Sequence, residues 1–510
     1  MHVIDGWVTR ARDLLMARYR VWDRLRSDTG ASVVLVATLL WLFWMGLAVW
    51  RRHDRFDTFD NDLGFHTQFV WLLSRGHWFS SILGLSPFAH NATFGYFLFV
   101  PFAWLRFDVA QTLDLVQAAS IALGVVPIFR IARRRLGDEW ISAALPLAYL
   151  LHPVAQGNVW ETFHPEAMAI TPLLCAYDAA DEGRWSRYWK WIALAIIWKT
   201  DVALFVAVLG LVFVRRRDRR IGWRTFAVGA VWFVVVVGVM IPRLSGGGTV
   251  FGPLYGDLGD TPTEVIKTSI THPSRFMRHL TDSEPVRYGR DLLTPYGFVP
   301  VLAPVNLLIG FPQNMVSLLS DAPFTRDPID NPHYQALPLV ALTMALLEAC
   351  GWVKRRWPKL REPVVAAVLA GGLATSATWG SLPISVRYSH FWSEDGDPLR
   401  GAKERAVAMA GESDVVTAQY RLVPHLAERH LVYSFPNPWR QVYYGVEGTP
   451  RPDPAVVEWM IFDLTVAFSE GDQQIADCVL GSGTFDEAFR EAEIIVYHRN
   501  ANEPTDVECF

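Results

Sequence analysis

Cysteine and charge are both scarce in this sequence. Only 4 of its 510 residues are cysteine, which is too few for a fold built on disulfides. Charged residues account for 19% of the chain, against roughly 25% in soluble domains. The chain also has no Gly-rich loop that would cradle phosphates, no zinc-ligand spacing and no basic patch for nucleic acid. These absences exclude P-loop, zinc-finger and nucleic-acid-binding classes.

Apolar residues are abundant, at 51% of the chain, and they occur in runs. The first run, residues 33–50, is long enough to cross a bilayer as a helix. About thirty polar and Arg-rich residues precede it, so we expect no cleavable signal peptide but a cytoplasmic interfacial helix over residues 1–31. The arginines that indicate this helix are Arg10, Arg12, Arg18, Arg20, Arg24 and Arg26. The positive-inside rule then places the N-terminus in the cytoplasm.

The membrane-spanning part is predicted to cover residues 32–382, with outer loops at 51–93 and 244–334. Full-length apolar segments are expected at 33–50, 110–130, 139–156, 166–181, 224–242, 335–353 and 363–382. Residues 94–106 are too short to cross and read as an interfacial or re-entrant helix, and four prolines break residues 295–320. The sequence therefore predicts a mainly α, polytopic transmembrane bundle of about nine to eleven membrane segments.

The C-terminal part, residues 383–510, differs in composition. Short apolar stretches at 414–419, 430–435, 459–464 and 493–498 predict buried strands. The segments LVPHLAER (422–429) and FDEAFREA (485–492) predict helices between them. We expect a small α/β domain on the outer face, where Cys478 and Cys509 can pair if the compartment is oxidising.

Four carboxylates follow the first apolar run within nine residues: Asp54, Asp57, Asp60 and Asp62. Acidic residues at the mouth of a transmembrane helix are costly unless they bind a cation, pair with a base or perform acid–base chemistry. The alternative is a solvated acidic loop without a function.

A second polar segment, Lys199-Thr200-Asp201, interrupts an apolar stretch between two basic clusters at 184–190 and 215–220. Because both clusters are expected in the cytoplasm, the stretch would make two short passes with Lys199 at their outer tip. The alternative is one crossing of residues 191–214 that buries a Lys–Asp pair. In either arrangement Lys199 and Asp201 are functional candidates, since ionisable residues at membrane depth are expensive.

The predicted topology brings polar clusters to one side of the membrane. The clusters consist of Asp57, Asp60, Asp62, His66 and Gln68, of Glu161, His164 and Glu166 with His90 and Asn91, and of Lys199 and Asp201. A carboxylate can accept a proton from an attacking hydroxyl, and Lys and His can neutralise a departing phosphate. The His164 and Glu166 spacing would also suit a divalent metal such as Mg²⁺ or Mn²⁺, which the sequence leaves open.

The segment FDNDLGFHTQFVW (59–71) is similar to the D-x-G-x-x-x-Q-x-x-W signature of a family of membrane proteins, domain of unknown function 2079. Further segments resemble the family's motifs in order. They are His90, TFHPE (162–166) with the family's F-H-P-E, WKTD (198–201), NPHYQALPLV (331–340) and residues 415–436. The chain departs from the family at two positions, Thr200 in place of an acid and Asn91 beside His90. The resemblance covers most of residues 30–465.

That family resembles, remotely, the GT-C glycosyltransferases of the inner (plasma) membrane. The resemblance implies transfer of a sugar from a polyprenyl-phosphate donor to a cell-envelope glycan, lipid or protein, among membrane lipids and without nucleic acid. The resemblance implies that Asp62, or the neighbouring Asp60, is the catalytic base. It implies that the donor phosphate is bound by Lys199, His164 and His90. Supporting roles are implied for Glu166, Asp201, Gln68, His66 and Tyr334. A transporter or flippase and a non-catalytic assembly factor are the alternatives; a transporter predicts ionisable residues spread through the membrane depth.

Overall fold

The computed structural model describes residues 28–245, 252–394, 396–441, 452–500 and 509. The predicted interfacial helix with its six arginines lies outside the described residues, apart from the last positions of its range. The first described helix runs from Thr29 to Asp54, and the Asp28 side chain caps it by accepting a hydrogen bond from the Ala31 backbone N–H at 2.9 Å.

Four helical stretches of the described residues are long and apolar enough to cross a membrane: Thr29–Asp54, Val109–Leu136, Arg219–Leu244 and Pro332–Arg356. Glu139–Leu151 is apolar but shorter. The other principal helices of this part of the chain are Phe65–Ser74, Pro153–Trp160, Ile170–Asp181, Trp185–Ile196, Thr200–Arg216, Pro262–Thr271, Pro273–Asp282, Pro285–Leu293, Phe311–Leu319 and Arg361–Trp379. Together they form the predicted helical bundle; the count of nine to eleven membrane segments stays a prediction.

Prolines break the bundle where the sequence indicated. Residues 295–320 form short pieces, Val299–Leu302, Pro304–Leu307, Leu308–Gly310 and Phe311–Leu319. Residues 94–106 fold as two short turns of helix, Phe94–Leu98 and Val100–Trp104. The segment predicted as one helix over 139–156 is two helices, because Pro153 begins a new helix and the preceding His152 is extended.

The stretch with two possible topologies is split at Lys199. One helix ends at Ile196 and the next begins at Thr200, with Lys199 extended between them. The stretch is therefore two helices, with Lys199 at the N-terminus of the second; the number of membrane crossings they make stays a prediction. At the other end of helix Thr200–Arg216, Arg217 pairs with Asp181 at 2.9 Å, so ionisable groups lie at both ends of a helix about 25 Å long.

The end of the bundle opposite Lys199 is held by a network of ion pairs. Arg135 bonds both Asp181 and Glu348, at 2.5 and 2.7 Å, and Arg134 reaches Asp178 and Asp181 at 2.5 and 2.7 Å. These acids and arginines come from helices Val125–Leu136, Ile170–Asp181 and Ala336–Arg356. Because each buried charge has partners on neighbouring helices, the network fixes how these helix ends sit together.

The C-terminal domain contains one five-stranded sheet of order β2-β1-β3-β5-β4. Its strands are β1 Val416–Ala418, β2 Val432–Ser434, β3 Trp459–Asp463, β4 Phe485–Glu491 and β5 Ile494–Arg499. Strands β1, β2 and β3 are parallel, and β3, β5 and β4 are antiparallel. A disulfide joins Cys478 to Cys509.

The prediction of a helix at 485–492 was wrong, because this segment is strand β4. Phe485 and Phe489 are four residues apart, a spacing that fits one face of a helix and equally one face of a strand. Pairing with β5 decides between them. The helix of this region is Glu470–Gly481, which begins at Ser469 with a cap to the Asp472 backbone N–H.

Candidate active site

The loop that follows the first helix carries Asp60 and Asp62. Arg52 fixes its start by bonding the Asp57 carboxylate at 3.2 Å and the Asp57 carbonyl at 2.7 Å. Further along, the Asp60 backbone N–H donates to the Tyr420 carbonyl of the C-terminal domain at 3.1 Å. The backbone then winds into the short helix Asp60–Gly64. Both domains therefore position the two acids.

Asp62 faces His164, the histidine of the TFHPE segment. The His164 Nε2 lies 3.6 Å from the Asp62 Oδ1, and the Asp62 side chain keeps 30% of its surface exposed. Burial works against ionisation of Asp62, but the hydrogen bond and charge of His164 outweigh it, so the pKa of Asp62 lies below its ordinary value. Burial likewise lowers the pKa of His164, yet Asp62 with the nearby Glu166 and Glu161 raises it to about 9. The two groups form an ion pair.

Asp60 has a different environment from Asp62. Its side chain is buried, and burial raises the pKa of Asp60 to about 6, against the opposing effect of a hydrogen bond from Ser434. A carboxylate whose pKa is raised in this way is a stronger base once ionised. Asp60 and Asp62 are therefore neighbouring acids with opposite shifts.

Lys199 lies between two carboxylates at the helix break. Its Nζ donates to the Glu166 Oε1 at 2.7 Å, and the Asp201 Oδ2 is 3.8 Å away. The Lys199 and Glu166 side chains are 12% and 5% exposed, so the pair is shielded from solvent. The predicted residues Lys199, Glu166 and Asp201 are therefore in contact. His164 lies close enough to Glu166 to interact with it electrostatically.

The two departures from the family pattern contact each other. The Thr200 hydroxyl donates to the Asn91 carbonyl at 3.0 Å. Asn91 in turn donates its side-chain amide to the ring of His90 at 2.9 Å. His90 is close enough to Lys199 and Glu166 to interact electrostatically with both, so the predicted His90 belongs to this cluster.

His333 is a member of the cluster that our sequence analysis did not assign a role. Its ring stacks on His164 with centroids 4.0 Å apart, and its Nδ1 lies 3.0 Å from the Glu161 carboxylate. The predicted Tyr334 packs on His333, also at 4.0 Å. The signal was available, since His333 precedes Tyr334 in the same matched segment NPHYQ, but a histidine taken alone is more often structural.

Gln68 and His66 are buried behind this cluster. The Gln68 amide bonds Ser81 and the His430 carbonyl, at 2.9 and 3.4 Å, and its oxygen accepts from Ser80 at 2.6 Å. His66 bonds the Tyr96 hydroxyl at 2.5 Å, with its ring 6.3 Å from that of His164. Gln68 therefore fastens the loop at Ser80–Ser81 to the C-terminal domain, and His66 packs beneath His164.

A cavity of about 520 Å³ opens beside Asp60 and Asp62. The membrane domain contributes Phe59, Asp60, Asn61, Asp62 and Ile82 to its wall. The C-terminal domain contributes Tyr420, Ser434, Phe435, Pro436, Asn437, Arg440 and Asp472. Asp62 therefore lies between this cavity and the cluster around Lys199.

The described residues include no group of three or more His, Cys, Asp or Glu side chains spaced to hold a metal ion. At the pair of interest, Asp62 and His164 supply two donor groups that face each other at 3.6 Å. This donor set falls short of the ligands that Mg²⁺ or Mn²⁺ takes. A divalent metal stays the alternative that the sequence left open, and no step below passes through a metal.

The fold resembles that of solved GT-C glycosyltransferases. ArnT from Cupriavidus metallidurans bound to undecaprenyl phosphate matches with a TM-score of 0.54 and 14% identity, over 92% of this chain and 99% of that chain. The apo state of the same protein matches with a TM-score of 0.53 and 15% identity, over 93% and 99%. The arabinofuranosyltransferase AftD from Mycobacteria matches at 0.47 and 12%, over 93% of this chain and 40% of that chain.

Among curated proteins, no match is found. The family model described as Predicted membrane protein (DUF2079) matches residues 52–475, which include the acids, the TFHPE segment, Lys199 and most of the C-terminal domain. The chain therefore belongs to the DUF2079 family of predicted membrane proteins.

Proposed function

We propose that this protein is a GT-C-type glycosyltransferase, which moves a sugar from a polyprenyl-phosphate donor to a cell-envelope acceptor. The observation that carries the proposal is the position of Asp62, which lines the 520 Å³ cavity on one side and pairs with His164 of the Lys199 cluster on the other. A transferase needs this arrangement, because its base must reach the acceptor while cations meet the leaving group.

The donor phosphate would bind at Lys199, His164 and His90. The undecaprenyl phosphate bound to ArnT supports a lipid phosphate as the ligand of this fold. Lys199 keeps its positive charge beside Glu166, and His164 keeps its own beside Asp62. Charges fixed in place before reaction stabilise the negative charge that develops on a departing phosphate. Glu166 and Asp201 would orient the lysine, and Tyr334 would support His333 and His164.

In the reaction, the acceptor hydroxyl loses its proton to Asp62, or to Asp60, as its oxygen attacks the anomeric carbon of the donor sugar. A glycosidic C–O bond forms, and the bond from that carbon to the phosphate oxygen breaks. Its electron pair leaves with the polyprenyl phosphate, next to Lys199. A base opposite the leaving phosphate corresponds to transfer with inversion.

The site would face the outer side of the plasma membrane, with the N-terminus in the cytoplasm. The disulfide between Cys478 and Cys509 supports this placement of the C-terminal domain, because disulfides persist in oxidising compartments. The Arg-rich network at the other helix end supports it as well, because positive residues favour the cytoplasmic side. Two clusters at opposite helix ends also differ from the distribution through membrane depth that a transporter predicts.

The testing experiment measures sugar transfer by the purified protein from a panel of polyprenyl-phosphate sugars. The Asp62→Asn variant should lose at least about 100-fold in kcat, the usual contribution of a positioned base. Asp486→Asn is the matched control, since Asp486 is exposed on β4 and away from the cavity. An Asp62→Asn protein with wild-type transfer would contradict the assignment.

A further inference from the structure

The cavity beside Asp60 and Asp62 has the size of a small-ligand site. Its volume of about 520 Å³ falls within the roughly 300–1,000 Å³ of typical ligand pockets. The Lys199 cluster lies on the other side of Asp62, so the cavity is free to take the second substrate of the proposed reaction.

The charge of the wall restricts what can bind there. The wall carries three carboxylates, on Asp60, Asp62 and Asp472, and one guanidinium, on Arg440. Arg440 already pairs with Asp472. Asp62 is likewise paired, with His164. An entering phosphate or sulfate group would therefore meet the carboxylate of Asp60 and no unpaired cation among the residues that line the cavity, and like charges brought together cost binding energy.

The remaining wall is suited to hydroxyl groups and to C–H faces. Ser434 and the side chain of Asn61 provide a hydroxyl and an amide beside the carboxylates. The rings of Phe59 and Tyr420 stack with centroids 5.6 Å apart and an interplanar angle of 24°. Both rings are half-buried and line the cavity, with Phe435 and Pro436 further along. A flat aromatic surface next to hydrogen-bonding groups can bind a ligand that has an apolar face and a polar edge.

We infer that the acceptor is an uncharged carbohydrate, bound between the first outer loop and the C-terminal domain with Tyr420 as its stacking platform. This inference rests on the proposed function and narrows its acceptor to a neutral glycan. Asp472 determines the preference for neutral over phosphorylated ligands, because its carboxylate pairs with Arg440, the arginine among the residues that line the cavity.

The test measures binding to the full-length protein in detergent of a neutral oligosaccharide and of the same oligosaccharide carrying one phosphate. The wild type should bind the neutral form at least about tenfold more tightly. Tyr420→Ala should weaken that binding roughly tenfold, since it removes the stacking surface. The control is Tyr497→Ala, a half-buried tyrosine of β5 outside the cavity.

A second variant reverses the selectivity. Asp472→Asn releases Arg440 but keeps the side chain's size, so the ratio of phosphorylated to neutral oligosaccharide binding should rise at least about fivefold. Asp477→Asn is its control on the same helix, because Asp477 lies outside the cavity wall and accepts a hydrogen bond from Gln473 at 2.8 Å.

Binding of polyprenyl phosphate, measured in parallel, separates this inference from the proposed function. If the lipid phosphate binds but the wild type prefers the phosphorylated oligosaccharide or binds neither sugar, the inference is overturned and the transferase proposal stands. If the neutral oligosaccharide binds in a Tyr420-dependent way and the lipid phosphate does not, the carbohydrate site is supported and the transferase proposal fails.

Discussion

Asp60 and Asp62 are two residues apart and have opposite pKa shifts, so the pH dependence of transfer distinguishes between them. If Asp62 is the base, it is ionised over the working range, because its pKa is lowered. If Asp60 is the base, kcat/KM should rise with pH through about 6, the pKa of Asp60. In the first case the wild type should show no decline of kcat/KM near pH 6, and Asp60→Asn should keep most of its activity. In the second case the wild type should show that decline, and Asp60→Asn should lose at least about 100-fold in kcat.

At alkaline pH, we expect the binding of the donor to depend on the protonation of His164. Asp62, with Glu166 and Glu161, raises the pKa of His164 from 6.5 to about 9. While Asp62 is ionised, the ion pair therefore contributes fully to stability below about pH 6.5, and this contribution is lost as pH rises from there through about 9. Donor binding should therefore weaken above about pH 9. His164→Gln, which cannot titrate, should bind more weakly and show no such decline.

Lys199 is the residue whose removal should affect donor binding most directly. Lys199→Met should weaken polyprenyl-phosphate binding by at least about tenfold, and it also leaves Glu166 buried without its partner, which costs roughly 3–5 kcal/mol of stability. The double variant Lys199→Met with Glu166→Gln removes that second effect. Recovered stability without recovered lipid binding is the expected result; recovery of both would show that Lys199 is only structural.

At the scale of elements, the helix break at Lys199 depends on a glycine from another loop. The Gly95 N–H donates to the Ile197 carbonyl at 3.1 Å, and a Cβ at Gly95 would lie 2.2 Å from the buried ring of Trp198. Gly95 lies so close to Trp198 that a methyl group would not fit between them. The short turn Phe94–Leu98 is therefore tightly packed against the helix break at Lys199.

Gly95→Ala should therefore displace Trp198 and, with it, the adjacent Lys199. We expect a loss of about 1–3 kcal/mol in stability and weaker lipid-phosphate binding, measured by thermal unfolding and by titration. Gly289→Ala is the control, because nothing lies within 4 Å of its added Cβ. Equal behaviour of the two variants would contradict the role given to Gly95.

Sequence pattern was sufficient for elements defined by long apolar runs and prolines, and for the strands β1, β2, β3 and β5. It was insufficient at Phe485–Glu491, where a four-residue spacing of aromatics fits both periods and only pairing with β5 decides. Motif matching indicated Lys199, Glu166, His164 and Asp62, which the structure brings into one cluster; their roles stay predictions. The matched segment 331–340 also contains His333, but its place in the cluster depends on a stacking contact with His164, 169 positions earlier in the chain, which no sequence pattern shows.

At the scale of the whole molecule, the sidedness of the C-terminal domain is open to measurement. After mild reduction of intact cells, Cys478 and Cys509 should react with a membrane-impermeant maleimide if the domain is outside. Cys175 and Cys350 should not react, since they are placed in the helical bundle. Labelling of the disulfide cysteines only after cell lysis would place the domain in the cytoplasm and overturn the proposed topology.

The two domains are joined through residues that also form the site. The Ser81 hydroxyl donates to the Val432 carbonyl at 2.7 Å and accepts from the Val432 N–H at 3.0 Å, and Asp60 bonds Tyr420 through the backbone. Separating the domains would therefore disturb the backbone that carries the acids. We regard the membrane domain and the C-terminal domain as one functional unit.

The cavity wall is formed by two domains, and this bears on how substrate preference can change between members of the family. Every wall residue from Tyr420 onward belongs to the C-terminal domain, whereas Lys199, Glu166 and His164 belong to the bundle. If the proposed transferase function holds, mutations after residue 419 should change the acceptor without touching the groups proposed to hold the donor. We expect chimeras that exchange this region between relatives to inherit the acceptor preference of one parent and the lipid donor of the other.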